Sequence, residues 1–209
     1  MDSFDEEIIV ECPRCSKAAT VSSGLRLRCK NCACHHTRSQ PRSFGATGVC
    51  FEHTSDLSDW FGDVLLRPTE PPRCRKCGND VAYPPHRRAA LERVVRTDDK
   101  ATGQCATCGA DFEFSARWVP FHDAGGVRER FFGTRLYLRE ETSKGTVWAY
   151  NRRHGEAIGK YVASVIRDSA VDDKALGLFA NLPSWIKQAK NRGAVLTALA
   201  HVRKKLDRL

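Results

Sequence analysis

The chain has 209 residues, of which 41% are hydrophobic and 28% charged, and a formal net charge of +9 at pH 7. Its apolar runs are a few residues long, far short of the roughly 18 that a membrane-spanning helix needs. The N-terminal residues 1–7 are acidic and lack the basic-then-apolar pattern of a secretory signal, so we expect a cytoplasmic protein with reduced thiols.

The positive charge is concentrated at the C-terminal end. Residues 151–209 contain twelve Lys/Arg and five Asp/Glu, a net charge of +7, whereas residues 41–70 carry −3. A zinc ion bound by four thiolates contributes a charge of −2. Two such sites would lower the total from +9 to +5, so the basic excess is real but weaker than the composition suggests.

Eight of the ten cysteines form four Cys-x-x-Cys pairs. Two residues between cysteines let one tight turn aim both sulfurs at one ion, at about 2.3 Å each. The first two pairs are joined by a short predicted hairpin that turns at Gly24. This zinc-ribbon spacing predicts one four-cysteine site, with redox pairs or coincidence as the alternative. Its ligands are Cys12, Cys15, Cys29 and Cys32.

The other two pairs predict a second four-cysteine zinc site. A glycine follows each pair and suits a turn with positive φ. The gap between the pairs is 27 residues, and we expect a helix near 86–97 within it. The alternative is that each pair stands alone or uses other ligands. The predicted ligands are Cys74, Cys77, Cys105 and Cys108, and the cofactors are two structural zinc ions.

Five further residues leave a third zinc site open: Cys34, His35, His36, Cys50 and His53. The favoured interpretation is that the two cysteines are buried thiols and that the histidines are ordinary surface residues.

Helices are predicted for the C-terminal part of the chain. Asn151 can cap a first helix, Asp172 a short second one, and Pro183 suits the first turn of a third. A last helix near 194–208 carries a stripe of apolar residues at steps of four and three. The apolar faces comprise Ala157, Ile158, Tyr161, Val162, Val165 and Ile166 in the first helix, Leu176 and Phe179 in the second, Trp185, Ile186 and Ala189 in the third, and Val195, Leu199, Val202, Leu206 and Leu209 in the last.

Basic residues of the last helix lie largely off this stripe. They predict a nucleic-acid-binding face that contacts phosphates, comprising Arg203, Lys204, Lys205 and Arg208. The alternative is a solvated helix end whose cations the helix dipole favours.

An internal duplication is a further hypothesis. Residues 60–67 resemble residues 131–139, Ala82-Tyr83 matches Ala149-Tyr150, and each tyrosine precedes a predicted helix; chance similarity is the alternative. The predicted fold class is α+β, with two zinc-ribbon-like β-hairpin units, following helices and a C-terminal helical layer. The predicted domains are an N-terminal ribbon with a hairpin–helix unit, a second ribbon-like hairpin–helix unit, and basic C-terminal helices (1–100, 101–170 and 171–209).

Three segments carry a resemblance to a known group. They are the Cys12–Cys15 ribbon turn, the Val147–Asn151 segment with His154, and residues 182–192. With these the chain resembles bacterial proteins described as containing a transcription factor IIB-type zinc ribbon. The resemblance implies a zinc ribbon at the first cysteine site and no particular activity. The chain departs from the group at residues 141–144, where similar proteins often have a cysteine pair.

The motifs of common enzyme classes are missing, and four thiolates would leave no open position on zinc. We therefore expect no catalysis, no small-molecule substrate and no membrane partner. The favoured function is binding of nucleic acid, with Arg14, Arg73 and Arg75 beside the zinc turns. Phe112, Phe114 and Trp118 could form a stacking platform, although a small hydrophobic core is the favoured interpretation.

The alternative is a protein-binding adaptor or inhibitor, such as an immunity protein against a bacterial toxin. It rests on a rigid scaffold with an acidic stretch at 52–63 and basic ends, which together suit a protein interface. The acidic residues are Glu52, Asp56, Asp59 and Asp63.

Overall fold

A computed structural model describes residue 4 and residues 6–50, 57–83, 86–89, 98–123, 127–164 and 182–209. The chain forms two compact units, one of residues 1–41 with 123–209 and the other of residues 42–122. The predicted domains have different boundaries, and residue 100 lies within a strand. Neither helix in the described part of the chain is long and apolar enough to span a bilayer.

The first unit begins with a four-stranded antiparallel sheet in which the strands lie in chain order. Alternate residues of the strands, among them Ile8, Val10, Val21 and Leu27, are fully buried and form its inner face. The predicted turn at Gly24 is present, with a φ of 66°. The strands are β1 (Glu7–Glu11), β2 (Ala18–Ser22), β3 (Arg26–Cys29) and β4 (His35–Thr37).

Strand β1 also bonds to the later part of the same unit. The backbone N–H of Ile9 donates to the carbonyl of Tyr150 at 2.8 Å, and that of Glu11 donates to Arg135 at 2.7 Å. Glu11 also accepts from the guanidinium of Arg139 at 2.8 Å. The N-terminal ribbon is therefore built into this unit and does not stand as a separate module.

The later part of the first unit, where it is described, contains a hairpin and two α-helices. Its elements are β9 (Arg139–Thr142), β10 (Gly145–Trp148), α1 (Arg152–Ala163) and α2 (Arg192–Leu206). Asn151 caps α1 as predicted, because its side-chain oxygen accepts the N–H of His154 at 2.9 Å. Buried apolar residues of the hairpin, the helices and the segment before α2 form one core: Val147, Ile158, Val162, Leu182, Ile186, Val195 and Ala198.

Two expectations about the C-terminal part are wrong. The segment after Pro183 is not an α-helix: it consists of successive turns whose N–H groups bond three residues back, ending in a 3₁₀ helix at Ala189–Asn191. Leu209 is 60% exposed and does not extend the apolar stripe, because α2 ends at Leu206. Val165, Ile166 and the helix expected from Asp172 lie outside the described residues.

The second unit contains a four-stranded antiparallel sheet in the order β6-β5-β8-β7. One face packs on a core that includes Trp60, Val64, Leu66, Ala116 and Trp118. The strands are β5 (Asp63–Pro68), β6 (His86–Ala89), β7 (Asp98–Gln104) and β8 (Asp111–Phe121).

The helix predicted near 86–97 is wrong at its start. Residues 86–89 pair with β5 as an edge strand, and all four are exposed. Residues 90–97 lie outside the described residues. Pairing with β5 satisfies the backbone of a segment that has no apolar face to bury as a helix.

The architecture is α+β, but the internal duplication is not confirmed. In the first of the two similar segments, 60–67, strand β5 begins at Asp63, whereas residues 131–138 of the second segment, 131–139, form turns and isolated bridges. Tyr83 leads towards a strand and Tyr150 leads into α1.

Candidate metal centres

The first group of cysteines lies where β1 and β3 end. The sulfurs of Cys12 and Cys32 are 3.6 Å apart, as are those of Cys15 and Cys29. All four sulfurs lie within 4.8 Å of one another. A tetrahedral ion with metal–sulfur bonds of about 2.3 Å spaces its sulfurs by about 3.8 Å. The group is therefore close to the size that four-thiolate coordination requires.

The second group repeats this arrangement in the other unit. Cys74 and Cys108 are 3.5 Å apart at their sulfurs, as are Cys77 and Cys105. In both groups the first cysteine of one pair lies beside the last cysteine of the other pair. The long spacing between the pairs does not prevent closure, because β8 pairs with both β7 and β5 and so brings the β7–β8 turn to the segment that follows β5.

The same backbone turn presents all four pairs. The N–H of each leading cysteine donates to the carbonyl five residues later, at 2.7–3.1 Å. The four donor and acceptor pairs are Cys12 with Lys17, Cys29 with Cys34, Cys74 with Asn79, and Cys105 with Ala110. This bond closes a tight loop that holds both sulfurs on one side without help from the surrounding core.

Three of these turns contain a residue with positive φ directly after the second cysteine. Gly78 and Gly109 have φ values of 75° and 67°, where glycine carries no Cβ penalty. Ser16 holds the same position in the first site with a φ of 57°. Its N–H donates to the carbonyl of Cys12 at 2.9 Å, the same bond that both glycines make.

The thiols of the second site have pKa values shifted in opposite directions. The backbone N–H groups of Cys108 and Thr107 lower the pKa of Cys105 to about 6. Those of Cys77 and Lys76 lower the pKa of Cys74. Cys77 differs, because the backbone N–H of Asn79 is outweighed by hydrogen bonds with the neighbouring thiols and by burial, which raise its pKa to about 12. Since the thiolate is the metal-binding form, Cys105 is the ligand of this site that needs least deprotonation.

The first site also combines thiols of opposite character. The backbone N–H of Lys17 is outweighed by burial and by hydrogen bonds with neighbouring thiols, which raise the pKa of Cys15 to about 12. At Cys29, burial is outweighed by backbone and thiol hydrogen bonds, which lower the pKa to about 7. Burial raises the pKa of Cys12 to about 11, so a cation would have to displace its proton to bind. Cys12 is buried, whereas Cys15, Cys29 and Cys32 are partly exposed. Both groups nonetheless offer four sulfur donors at suitable spacing, and both could hold a metal ion.

No third group of ligands appears among the described residues. Cys34 and Cys50 are buried thiols, in agreement with the favoured interpretation. His35 is exposed and His36 partly so, whereas His53 lies outside the described residues.

The predicted nucleic-acid face is divided by the structure. Arg203, Lys204 and Arg208 are exposed at the C-terminal end of α2. Lys205 is instead bonded to the carboxylate of Glu140 at 2.9 Å and to the carbonyl of Arg139. Arg14, Arg73 and Arg75, beside the cysteine turns, are all exposed.

The aromatic residues also separate into two sets. Trp118 belongs to the core of the second unit, and its indole N–H donates to Asp99 at 2.9 Å. The core interpretation is therefore correct for Trp118. Phe112 and Phe114 are half-buried with ring centroids 5.6 Å apart.

The acidic stretch is partly neutralised within its own unit. Asp59 pairs with Arg42, and Asp63 accepts from Arg87 at 2.9 Å. Glu52 and Asp56 lie outside the described residues.

The structure also connects two residues that no sequence pattern linked: Arg67 and Arg117 lie side by side only because β5 and β8 pair.

Comparisons with protein-family models, with curated proteins and with solved structures found no match. The function of the protein is therefore inferred from the residues and geometry of this chain.

Proposed function

We propose that the protein is a non-catalytic zinc protein with two structural four-cysteine sites, and that it binds nucleic acid. The observation that carries this proposal is the pair of closed four-sulfur groups, one in each unit. Such a shell has no place for a substrate or a reactive water, unlike catalytic zinc sites with three protein ligands. The resemblance to zinc-ribbon proteins of the transcription factor IIB type agrees with a structural role at the first site.

The metal would supply cross-links between turns that have little core of their own. Beside the second site only Val81 and two of the cysteines are buried in the local apolar cluster. Cys12, Cys15, Cys29 and Cys32 would hold one ion, and Cys74, Cys77, Cys105 and Cys108 the other. Binding at such sites contributes directly to the free energy of folding.

Exposed cations support nucleic acid as the partner. Arg73, Arg75 and Lys76 surround the first turn of the second site, and all three are exposed. At the end of α2, Arg203, Lys204 and Arg208 form a second exposed set. Phosphate contacts of this kind supply most of the sequence-independent affinity for nucleic acid.

The test is the salt dependence of binding to labelled single-stranded and duplex oligonucleotides, measured by fluorescence anisotropy. We expect the affinity to fall with salt, with a log–log slope of about 0.7 to 0.9 for each phosphate contacted. Lys204→Glu combined with Arg208→Glu should weaken binding and flatten the slope. Lys205 is left intact, because its ion pair with Glu140 would make a loss of binding ambiguous.

A charge-matched control is Lys160→Glu combined with Lys190→Glu. Both lysines are exposed, and neither lies at the C-terminal end of α2. An equal loss of affinity in this control would remove the α2 end from the proposal. Absence of binding at low salt, or binding that salt does not weaken, would contradict the proposal as a whole.

The protein-binding alternative has weaker support. Two of the four acidic residues on which it rested, Asp59 and Asp63, are already paired with arginines. A stoichiometric complex with one protein, formed without nucleic acid, would favour it over nucleic-acid binding.

A further inference from the structure

The second unit contains a cleft of about 550 Å³ at one end of its sheet. Clefts that hold small ligands measure roughly 300 to 1,000 Å³. Its lining combines prolines with charged and aromatic side chains, among them Arg67, Glu70, Tyr83 and Arg117. The cysteine groups are not part of it.

Two arginines stand next to each other in this cleft. Arg67 on β5 and Arg117 on β8 are directly opposite in the strand register. Such neighbours have their Cβ atoms about 4.5 to 5.5 Å apart, and like charges in these positions destabilise a sheet. Neither guanidinium bonds to another described residue. The pair therefore presents guanidinium donors and positive charge to the cleft.

Two carboxylates lie near this pair, and neither forms an ion pair or hydrogen bond with it. Asp98 on β7 is opposite Arg117 on its other side, but it is exposed and does not line the cleft. Glu70 lines the cleft and is exposed, with no ion pair to a described residue. The cleft thus offers two guanidinium groups together with one carboxylate acceptor.

An aromatic ring completes the lining. Tyr83 is half-buried and meets Phe114 edge-on, with ring centroids 5.6 Å apart. A T-shaped contact of this kind covers at most one face of the Tyr83 ring. Bases stack on such rings in proteins that bind single strands, without regard to sequence.

We propose that this cleft binds one nucleotide, with its phosphate on Arg67 and Arg117 and its base against Tyr83. Paired guanidinium groups match the geometry of a phosphate. Glu70 disfavours a ligand that is only an anion, but it can accept from a sugar hydroxyl or a base amino group. The nucleotide is either free or part of a single strand; in the second case the inference rests on the proposed function and identifies where the nucleic acid binds.

The test uses four probes: adenosine 5′-monophosphate, adenosine, inorganic phosphate and a labelled oligo(dA) of twelve nucleotides. Binding is measured by calorimetry and by NMR of the arginine Nε–Hε signals, and oligonucleotide binding also by anisotropy. The proposal is supported if the monophosphate shifts the NMR signals of Arg67 and Arg117 and binds more tightly than adenosine or phosphate. Equal affinity for the monophosphate and inorganic phosphate would overturn the nucleotide assignment.

Variants identify the residues responsible. Arg67→Gln combined with Arg117→Gln should lower the affinity for the monophosphate about tenfold or more, since hydrogen bonds from charged groups are the strong ones. Tyr83→Ala should lower the same affinity about 5- to 150-fold, whereas Tyr83→Phe, which keeps the aromatic ring, should bind like the native protein. The charge-matched control Arg26→Gln with Arg28→Gln, on exposed positions of β3, should leave the monophosphate affinity unchanged.

The outcomes separate this inference from the proposed function. In one outcome, the native protein does not bind the monophosphate, and the Arg67/Arg117 variant still binds the oligonucleotide. This outcome overturns the assignment of the cleft as a nucleotide site and leaves the proposed function in place. Monophosphate binding without oligonucleotide binding supports the cleft as a site for a free nucleotide and contradicts the proposed function. Binding of neither overturns both.

Discussion

Tyr150 donates its backbone N–H to Nδ1 of His154 at 3.1 Å, and the imidazole is 1% exposed. Because Nδ1 accepts, the neutral ring carries its proton on Nε2. The rings of Phe4, Trp148 and Tyr150 pack around it. This histidine and the tyrosine before α1 therefore have a structural role in joining β10 to the helix.

Stability should fall as His154 becomes protonated. Burial lowers the pKa of His154 from 6.5 to about 4, so below pH 6.5 the unfolded chain takes up a proton that the folded chain refuses. The free energy of unfolding should decrease by about 3 kcal/mol as the pH falls from 6.5 towards 4. Denaturant titrations at several pH values measure this loss.

The control for this pH dependence is His154→Asn, whose side-chain oxygen can still accept from Tyr150. It lacks the titrating ring but keeps the cysteine groups, so acid release of metal is common to both proteins. The variant should lose less stability than the native protein over this range. Equal losses would show that His154 does not contribute to the pH dependence.

Zinc stoichiometry should depend on each cysteine group separately. Cys12→Ala and Cys74→Ala should each lower the zinc content from two ions per chain to one, because each opens one group of four. Cys50→Ala removes a buried thiol outside both groups and should retain two. Native mass spectrometry and elemental analysis of protein purified without a metal-binding tag provide the count. Two ions in Cys12→Ala would exclude that residue as a ligand.

Gly24 should be far less replaceable than Gly78. A Cβ at Gly24 would lie 2.5 Å from ring carbons of Phe131, whereas one at Gly78 would meet nothing within 4 Å. Both have positive φ, so both alanine variants lose about 1 kcal/mol for the backbone. Gly24→Ala should lose about 1 to 3 kcal/mol more through overpacking. Thermal and denaturant unfolding compare the two, and equal losses would show that the Phe131 contact is unimportant.

Replacing Glu129 by glutamine should lower the stability of the protein. Its buried carboxylate accepts the N–H groups of Phe131, Phe132 and Thr134 at 2.6–3.1 Å and the Thr134 hydroxyl at 2.8 Å. Burial raises its pKa, and these donors oppose that change. Glu129→Gln places an NH₂ group against donors and should cost about 2 kcal/mol of stability.

The matched control for Glu129 is Glu141→Gln, at an exposed carboxylate that accepts from the Thr146 hydroxyl at 2.7 Å. It should change stability by less than about 0.5 kcal/mol. A similar effect of both substitutions on denaturant unfolding would mean that the loop around Glu129 does not need its acceptor.

The cysteine groups and the two described helices could be predicted from local pattern. The spacing of Cys12 and Cys15 is a property of one turn, and Asn151 caps α1 through a residue three positions away. The geometry of interactions between residues a few positions apart is determined largely by the local sequence. The second group could be predicted despite the 27 residues between its cysteine pairs, because the prediction needed only the assumption that two such turns bind the same ion.

Features that depend on distant pairing were not predictable. Residues 86–89 have no apolar face, and their pairing with β5 decides that they form a strand. Lys205 looks like its neighbours in sequence, but the fold brings Glu140 to it. Arg67 and Arg117 are far apart in the chain, so only the register of β5 and β8 makes them neighbours.

The two units also differ in when the growing chain can complete them. Residues 42–122 form a continuous segment, whereas residues 1–41 need strands and helices from residues 123–209. Because synthesis runs from the N-terminus, the unit of residues 42–122 can be completed while the other unit still lacks residues 123–209. Strand β1, which precedes the first cysteine group, can form its bonds to Arg135 and Tyr150 only after that second segment has been synthesised.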